Sequence, residues 1–208
     1  MKKISMIKKF NLVLKRALDI TGSSIGLLIL SPIFFITAIL ITVTMPGPIF
    51  FKQERIGQNG KLFYILKFRS MKVDKTAEKN HDVSKDTDRL TTFGKLIRRL
   101  KIDELPQLIN VLWGNMSLVG PRPTFKEQAD LYNKSQKHRL DMRPGMTGLA
   151  QVNGNISLSW EERIKYDLYY IENYTLLLDL KILLKTALVV ILGESKFKKK
   201  ISDNERII

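Results

Sequence analysis

The chain has 208 residues, a formal net charge of +15 from 35 Lys and Arg against 20 Asp and Glu, and no cysteine. That length suits one domain, or one domain plus a membrane element, and is enough to bury a core of useful size. The charge implies an anionic partner, whether nucleic acid, anionic lipid or a phosphorylated ligand, without choosing among them. Absence of cysteine excludes disulfides and thiolate metal sites, and two histidines (His81 and His138) argue against a histidine-rich zinc site.

Residues 20–51 carry no charged side chain. As straight helix this run spans about 48 Å at ~1.5 Å per residue, against a hydrocarbon core about 30 Å thick. Ser31-Pro32 interrupts it near the middle. Proline lacks an amide donor and its ring crowds the carbonyl four residues back, so a bend is expected, with the Ser31 hydroxyl available to the freed backbone. Lys2, Lys3, Lys8, Lys9, Lys15 and Arg16 precede the run, and Lys52, Arg55, Lys61, Lys67 and Arg69 follow it. Positive charge favours the cytoplasmic side at both ends. The residues alone leave open a re-entrant hairpin or a single bent span. They disfavour a cleaved signal peptide, since the run is too long and lacks a small-residue cleavage site.

Beyond the turn-rich Met45-Pro46-Gly47-Pro48, two extended runs, Ile49–Arg55 and Leu62–Met71, flank Gln58-Asn59-Gly60 and predict a β-hairpin. Residues 72–90 are polar without periodicity and predict a mobile loop. Phe93, Leu96, Ile97 and Leu100 follow helical spacing from a start at Thr91 or Thr92; Leu105, Leu108, Ile109 and Leu112 repeat it one helix later. Pro106 fits the first turn of that second helix, which places Asp103 or Glu104 near a helix N-terminus. Arg143–Gly148 reads as a tight loop, and the aromatic stretch from Trp160 to Tyr174 as core and interface packing. Leu176–Leu192 is apolar but carries Asp179, Lys181 and Lys185, which predicts an interfacial or packed amphipathic helix rather than a second span. The Lys196–Lys200 cluster reads as a solvated tail attracted to anionic headgroups. No internal repeat or second domain is evident.

The richest stretch runs from Arg98 to Pro123. It places two adjacent carboxylates, Asp103 and Glu104, between Arg98-Arg99 and the proline-braced Arg122 of Gly120-Pro121-Arg122-Pro123. Acid beside concentrated base suits a phosphorylated substrate handled with a divalent metal. Taken alone, neighbouring acids are usually solvated, and consecutive residues of a continuous helix do not face one another. A helix boundary at this point removes that objection. Lys67 by itself reads as a surface lysine on a strand.

Five ordered motifs narrow these alternatives: the Ser31-Pro32 break, KFRSM from Lys67, DELPQL from Asp103, SLVGPRP from Ser117 and RPGMTGLAQVNG from Arg143. Together they resemble the bacterial sugar transferases, the small monotopic phosphoglycosyl transferases, over nearly the whole chain from Lys15-Arg16 to about Leu192. The resemblance implies an α+β, mainly helical fold: a re-entrant membrane helix broken at Ser31-Pro32, a small β-hairpin and amphipathic interfacial helices around one catalytic core. It implies a basic N-terminus and membrane helix over residues 1–48, a cytosolic membrane-associated catalytic domain over 49–192 and a basic tail over 193–208. The activity it implies is transfer of a sugar-1-phosphate from a UDP-sugar to a polyprenyl phosphate on the cytoplasmic face of a bacterial membrane, with release of UMP. Asp103 would be the nucleophile, Glu104 its partner, and both would hold Mg2+. Lys67, Arg98, Pro121, Arg122, Pro123 and Arg143 would bind substrate. A UDP-activated N-acetylated amino sugar is the implied donor, with a simple hexose as the alternative, and anionic membrane lipid a further partner. One departure follows the last motif, where many relatives read NGR and Asn153-Gly154 here runs into Asn155. A membrane-anchored basic adaptor without catalysis is the competing reading. A transferase that moves the sugar alone would release UDP, and nucleic-acid binding has no motif behind it.

Overall fold

The computed structural model describes residues 6–73 and 89–197. The expected polar loop over 72–90 and the Lys196–Lys200 cluster fall largely outside the described residues. The ends of the former are nonetheless drawn together, since Lys72 N donates to Arg89 O at 2.9 Å.

Helix α1 (Met6–Thr44) carries most of the charge-free run, which continues through the turn at 45–49 into the next strand. The interruption expected at Ser31-Pro32 does not end it, for α1 continues through Pro32. The reason is local: Pro32 cannot donate to the Leu28 carbonyl, and the Ser31 hydroxyl does so instead at 2.8 Å. Thr42 and Thr44 satisfy their hydroxyls in the same way, on Ala38 O and Leu40 O. The helix is long and apolar enough to cross a membrane, and little of it is covered by protein. Leu28, Ile29, Phe35 and Val43 are bare. Its two ends, by contrast, dock on the rest of the chain.

The predicted hairpin forms as β1 (Phe50–Ile56) and β2 (Leu62–Phe68), antiparallel with Phe50 opposite Phe68 and Ile56 opposite Leu62. Asn59 (φ 56°) and Gly60 (φ 76°) take the left-handed conformations that make Asn-Gly a turn signal. The next helix, α2 (Thr92–Arg99), starts as predicted, with the Thr91 hydroxyl accepting from Gly94 N at 2.9 Å. Gly94 lets α2 press on the end of β2, since a Cβ there would lie 1.8 Å from Ser70 O. Lys101 (φ 58°) stops this segment, and a 3-10 turn, Ile102–Glu104, leads into α3 (Gln107–Trp113). Asn110 ties α3 to the hairpin edge: its side chain accepts from Leu66 N (2.9 Å) and donates to Tyr64 O (2.8 Å).

The tight loop expected at Arg143–Gly148 proves to hold a short strand. β3 (Ser117–Val119) pairs in parallel with β4 (Gly145–Thr147). Gly120 and Gly145 permit this, because a Cβ on Gly145 would lie 2.1 Å from Gly120 N. Short helices α4 (Lys126–Asp130) and α5 (Leu149–Val152) follow their respective strands. Helix α6 (Trp160–Glu172) opens with a reciprocal cap between Ser159 and Glu162, and α7 (Leu176–Leu192) opens on Thr175. The fold is α+β and mainly helical. Tyr166, Tyr170, Leu149, Val152 and Ile182 are almost fully enclosed, so the aromatic stretch is core as expected.

Two of the three charges within the apolar α7 have structural partners, and Lys181 is exposed. Asp179 is buried, accepting from Lys15 Nζ (2.6 Å) and from the Tyr170 hydroxyl (2.6 Å). Lys185 donates to Asn153 Oδ1 at 2.7 Å. Leu178, Ile182 and Val189 face the core, while Leu177, Leu184 and Ile191 are exposed. A buried ion pair stripped of one member leaves an uncompensated charge, which costs about 3–5 kcal/mol. Lys15→Ala should therefore lower the unfolding midpoint sharply, whereas Lys15→Met combined with Asp179→Leu should recover most of the loss; thermal unfolding of the full chain in detergent checks both.

Candidate active site

The 3-10 turn brings both carboxylates to the point where three segments meet. Glu104 Oε1 accepts from Lys67 Nζ at 2.8 Å and from Arg122 Nη2 at 2.9 Å. Lys67 arrives on β2 and Arg122 on the loop after β3, so the site closes only when hairpin, α3 and β3 are assembled. Glu104 is well shielded, its side chain 15% exposed. Burial disfavours its charge, but Arg122 and Lys67 more than offset this and hold the carboxyl well below the usual carboxylate range. Lys67 is pushed below its ordinary value by burial, against the pull of Glu104.

Asp103 behaves in the opposite sense. Its Oδ1 is enclosed without a hydrogen-bond partner among the described residues. Burial raises its pKa, and the charge of Glu104 adds to the rise against the pull of Lys67, Arg98 and Lys101. One turn thus presents a firmly ionised carboxylate beside a poised one. Arg98 lies near this point, its Nε on Ser70 Oγ at 2.8 Å and Nη2 on Met71 Sδ at 3.3 Å. No cluster of three or more His, Asp or Glu gathers among the described residues, so no all-protein metal cage exists there. Two adjacent carboxylates, one with an unmatched oxygen, fit a hard cation that completes its shell with phosphate oxygens and water.

Pro121, Arg122 and Pro123 line a cleft with Ile56, Gly57 and Thr124. Arg143 is placed differently: its Nε donates to Gly114 O at 3.0 Å, at the opposite end of α3 from Glu104. Arg16 meets the same helix end through Val111 O and Leu112 O. At the departure noted in the sequence, Asn155 is buried with φ 44°, a left-handed conformation that asparagine tolerates.

Two supporting groups escape sequence reasoning. Arg139 is buried, donates to Asp167 Oδ2 at 2.6 Å and to the carbonyl of Arg122 at 3.0 Å, and also bonds the Tyr132 hydroxyl. It fixes the backbone of the Pro-Arg-Pro loop from beneath. Arg55, at the end of β1, stacks on Phe125 with its guanidinium carbon 3.4 Å from the ring centre. A signal existed for Asp167, an acid on the buried stripe of Ile164, Tyr170 and Ile171; Arg139 and Arg55 had none.

Residues 10–193 match the family model described as bacterial sugar transferase. The chain is 43% identical over 183 residues to the uncharacterized sugar transferase EpsL of Bacillus subtilis, covering 88% of this chain and 90% of that one. It is 39% identical over 201 residues to a UDP-glucose:undecaprenyl-phosphate glucose-1-phosphate transferase of Klebsiella pneumoniae, covering 93% of this chain and 43% of that protein. Over 187 residues it is 42% identical to a UDP-N-acetylgalactosamine-undecaprenyl-phosphate N-acetylgalactosaminephosphotransferase of Aeromonas hydrophila, covering 86% of this chain and 44% of that one. The chain therefore spans most of the first relative and less than half of each of the other two. With the family model matched from the second turn of α1 to the end of α7, this chain belongs to the bacterial sugar transferase family.

Proposed function

We propose that the chain transfers a sugar-1-phosphate from a UDP-sugar to a polyprenyl phosphate, releasing UMP, at the membrane step that begins a surface polysaccharide or glycoconjugate. The observation that carries this reading is the pairing of opposites on one turn: Glu104 locked by Lys67 and Arg122, Asp103 enclosed with an unmatched oxygen. A noncatalytic basic adaptor has no use for such a pair, and the relatives carry transferase names. Those names include both UDP-glucose and UDP-N-acetylgalactosamine; an N-acetylated amino sugar remains our first choice of donor.

Asp103 attacks the β-phosphorus of the donor. The bond from that phosphorus to the bridging oxygen breaks, UMP departs with the electron pair, and the phospho-sugar stays on Asp103 as an acyl phosphate. An oxygen of polyprenyl phosphate then attacks the same phosphorus, and the Asp103 carboxylate is released unchanged. Arg122 and Lys67 neutralise charge on the donor diphosphate, with Arg98 and the rigid Pro121 and Pro123 shaping its seat; Arg143 braces the end of α3 and acts on substrate through that packing. Asp103 and Glu104 would hold Mg2+, which when bound lowers the repulsion between an attacking anion and a diphosphate.

The anchor in this reading is re-entrant. Both ends of α1 dock on the same body, at Asp19 with β3 and at Met45 with Arg69, while the bare stretch from Leu28 to Phe35 surrounds Ser31-Pro32. Basic residues at both ends favour one cytoplasmic face. Residues 1–48 thus form the anchor of a cytosolic catalytic domain over 49–192, with the basic tail from 193 on anionic lipid.

Asp103→Asn should abolish UMP release from a panel of UDP-sugars in membrane fractions and leave no phospho-sugar adduct detectable by mass spectrometry. Near-normal turnover in that variant, or UDP as the product, would contradict the mechanism. The raised pKa of Asp103 adds a second expectation. Folding binds its proton more tightly, so this contribution to stability is full below the unfolded value near 3.9 and is lost as pH rises through the folded value. Asp103→Asn should consequently melt higher than wild type at neutral pH. Glu104 carries the reverse sign: its depressed pKa gives stability above the unfolded value that disappears in acid, so Glu104→Gln should melt lower at neutral pH.

A further inference from the structure

Of the KFRSM run, the proposed transfer uses only Lys67. Phe68 packs with Ile41, Met45 and Ile97, and Arg69 caps the end of α1. Ser70 and Met71 remain, and both go to one side chain. Ser70 Oγ accepts from Arg98 Nε at 2.8 Å, and Met71 Sδ accepts from Arg98 Nη2 at 3.3 Å. Nη1 is left without a hydrogen-bond partner among the described residues. Arg99, next on the same helix, makes no such bond among the described residues. Arg98 is an exposed residue, and an exposed arginine gives up rotamer freedom when two of its nitrogens are held. Other contacts already hold α2: Gly94 lies against the Ser70 carbonyl, Ile97 and Ile102 pack with Phe68, and Met71 bridges Leu90. What the two bonds fix is the guanidinium.

Position says what the held cation serves. Lys101 N donates to Arg98 O at 3.1 Å, and Glu104 N donates to Lys101 O at 3.2 Å, so two consecutive turns join Arg98 to the paired acids. From the other side, Lys67 touches Glu104 at 2.8 Å and stands three residues before Ser70, at most about 10 Å along an extended chain. The guanidinium is thus bracketed between its own backbone and the strand end that already meets Glu104. Burial raises the Asp103 pKa, and Arg98 is among the cations that pull against the rise. Ser70 makes a firm base for such a tie, being buried with its carbonyl closed off by Gly94.

We infer that Ser70, with Met71 as a second tie, is a positioning residue: it holds Arg98 so that Nη1 is offered to the donor diphosphate beside Asp103. This role rests on the proposed function. The end of β2 then serves both acids, with Lys67 on Glu104 directly and Arg98 beside Asp103 through Ser70. A cation set in place beforehand needs no reordering when charge moves onto the leaving oxygen.

The test is a double-mutant cycle on the full chain in detergent, read as nucleotide release from a UDP-sugar. Ser70→Ala should lower kcat/KM for the UDP-sugar about tenfold, the scale of a lost hydrogen bond to a charged group. Ser70→Thr, which keeps the hydroxyl, should recover most of that loss. Met71→Leu, similar in volume without the weak sulfur acceptor, should cost about threefold. In an Arg98→Gln background, where no guanidinium is left to hold, Ser70→Ala should cost less than about twofold more. A full tenfold loss in that background makes Ser70 a packing residue and overturns the inference, as does wild-type kcat/KM in Ser70→Ala. Should Ser70→Ala fail to fold, the same cycle is run with Met71→Leu and Arg98→Gln, and independent losses there overturn it equally. Uncoupled losses on a wild type that releases UMP overturn this role alone, whereas release of UDP by the wild type overturns the proposed function and this role together.

Discussion

A buried carboxylate must be matched by cations, and here the match dictates where three parts of the chain meet. Glu104 is shielded, accepts from both Lys67 and Arg122, and lies 37 and 18 residues from them in sequence. Neither cation is delivered by local structure. Lys67 is carried by β2, which Asn110 staples to α3 through two hydrogen bonds. Arg122 is carried by a loop whose start is fixed by close backbone contact between Gly120 and Gly145 and whose carbonyl is held by Arg139. Arg139 in turn is paid for by Asp167, at 2.6 Å in the core. A chain of buried polar contacts thus runs from α6 to the carboxylate, and removing any link leaves another charge unmatched.

The same turn explains how neighbours come to differ. In a continuous helix Asp103 and Glu104 would diverge by about 100° and share little. Left-handed Lys101 ends the preceding segment, and a 3-10 turn presents the two acids where helix α3 has not yet begun. Glu104 reaches the two cations directly. Asp103 is enclosed beside them with Oδ1 unmatched, so its ionised form is disfavoured by burial and by Glu104 itself. Destabilisation of one charge by the stabilisation of its neighbour is a common way for a protein to separate the roles of two acids.

Much of this was legible in sequence where local chemistry decides. Asn59-Gly60 marked the hairpin, Thr91 the start of α2, Pro106 the beginning of α3, and adjacent acids at that boundary the site. What was not legible depends on distant partners. β3 and β4 are 3 residues each and pair across about 28 positions, too short to show alternation. Asp167 and Asp179 occupy buried stripes of α6 and α7 where periodicity calls for apolar side chains, yet their partners Arg139 and Lys15 stand 28 and 164 residues away. The Ser31 hydroxyl, by contrast, was legible as the group that serves the carbonyl Pro32 leaves without a donor, since both partners lie within four residues. Arg143, which resemblance sets with the substrate, also has its Nε on the Gly114 carbonyl that closes α3, a contact 29 residues away that no local pattern announces.

Anchor and site share their fastenings. Near the N-terminal end of α1, Asp19 accepts from Ser117 Oγ and Leu118 N of β3, at 2.9 Å each. Four residues beyond Leu118 comes Arg122. At the C-terminal end, Arg69 donates to Met45 O and to Pro46 O, meeting the helix where its carbonyls are unsatisfied and its dipole is negative. Two residues before Arg69 comes Lys67. Each cation that grips Glu104 is therefore carried by the segment that grips one end of α1. Tilting or sliding the helix relative to the body would drag β3 or β2, and with it one of the two bonds to Glu104. The position of the carboxylates relative to the apolar helix is consequently fixed by the same contacts that set their opposite electrostatics: Glu104 keeps its two cations, and Asp103 its enclosure beside them, only while both ends of α1 stay docked.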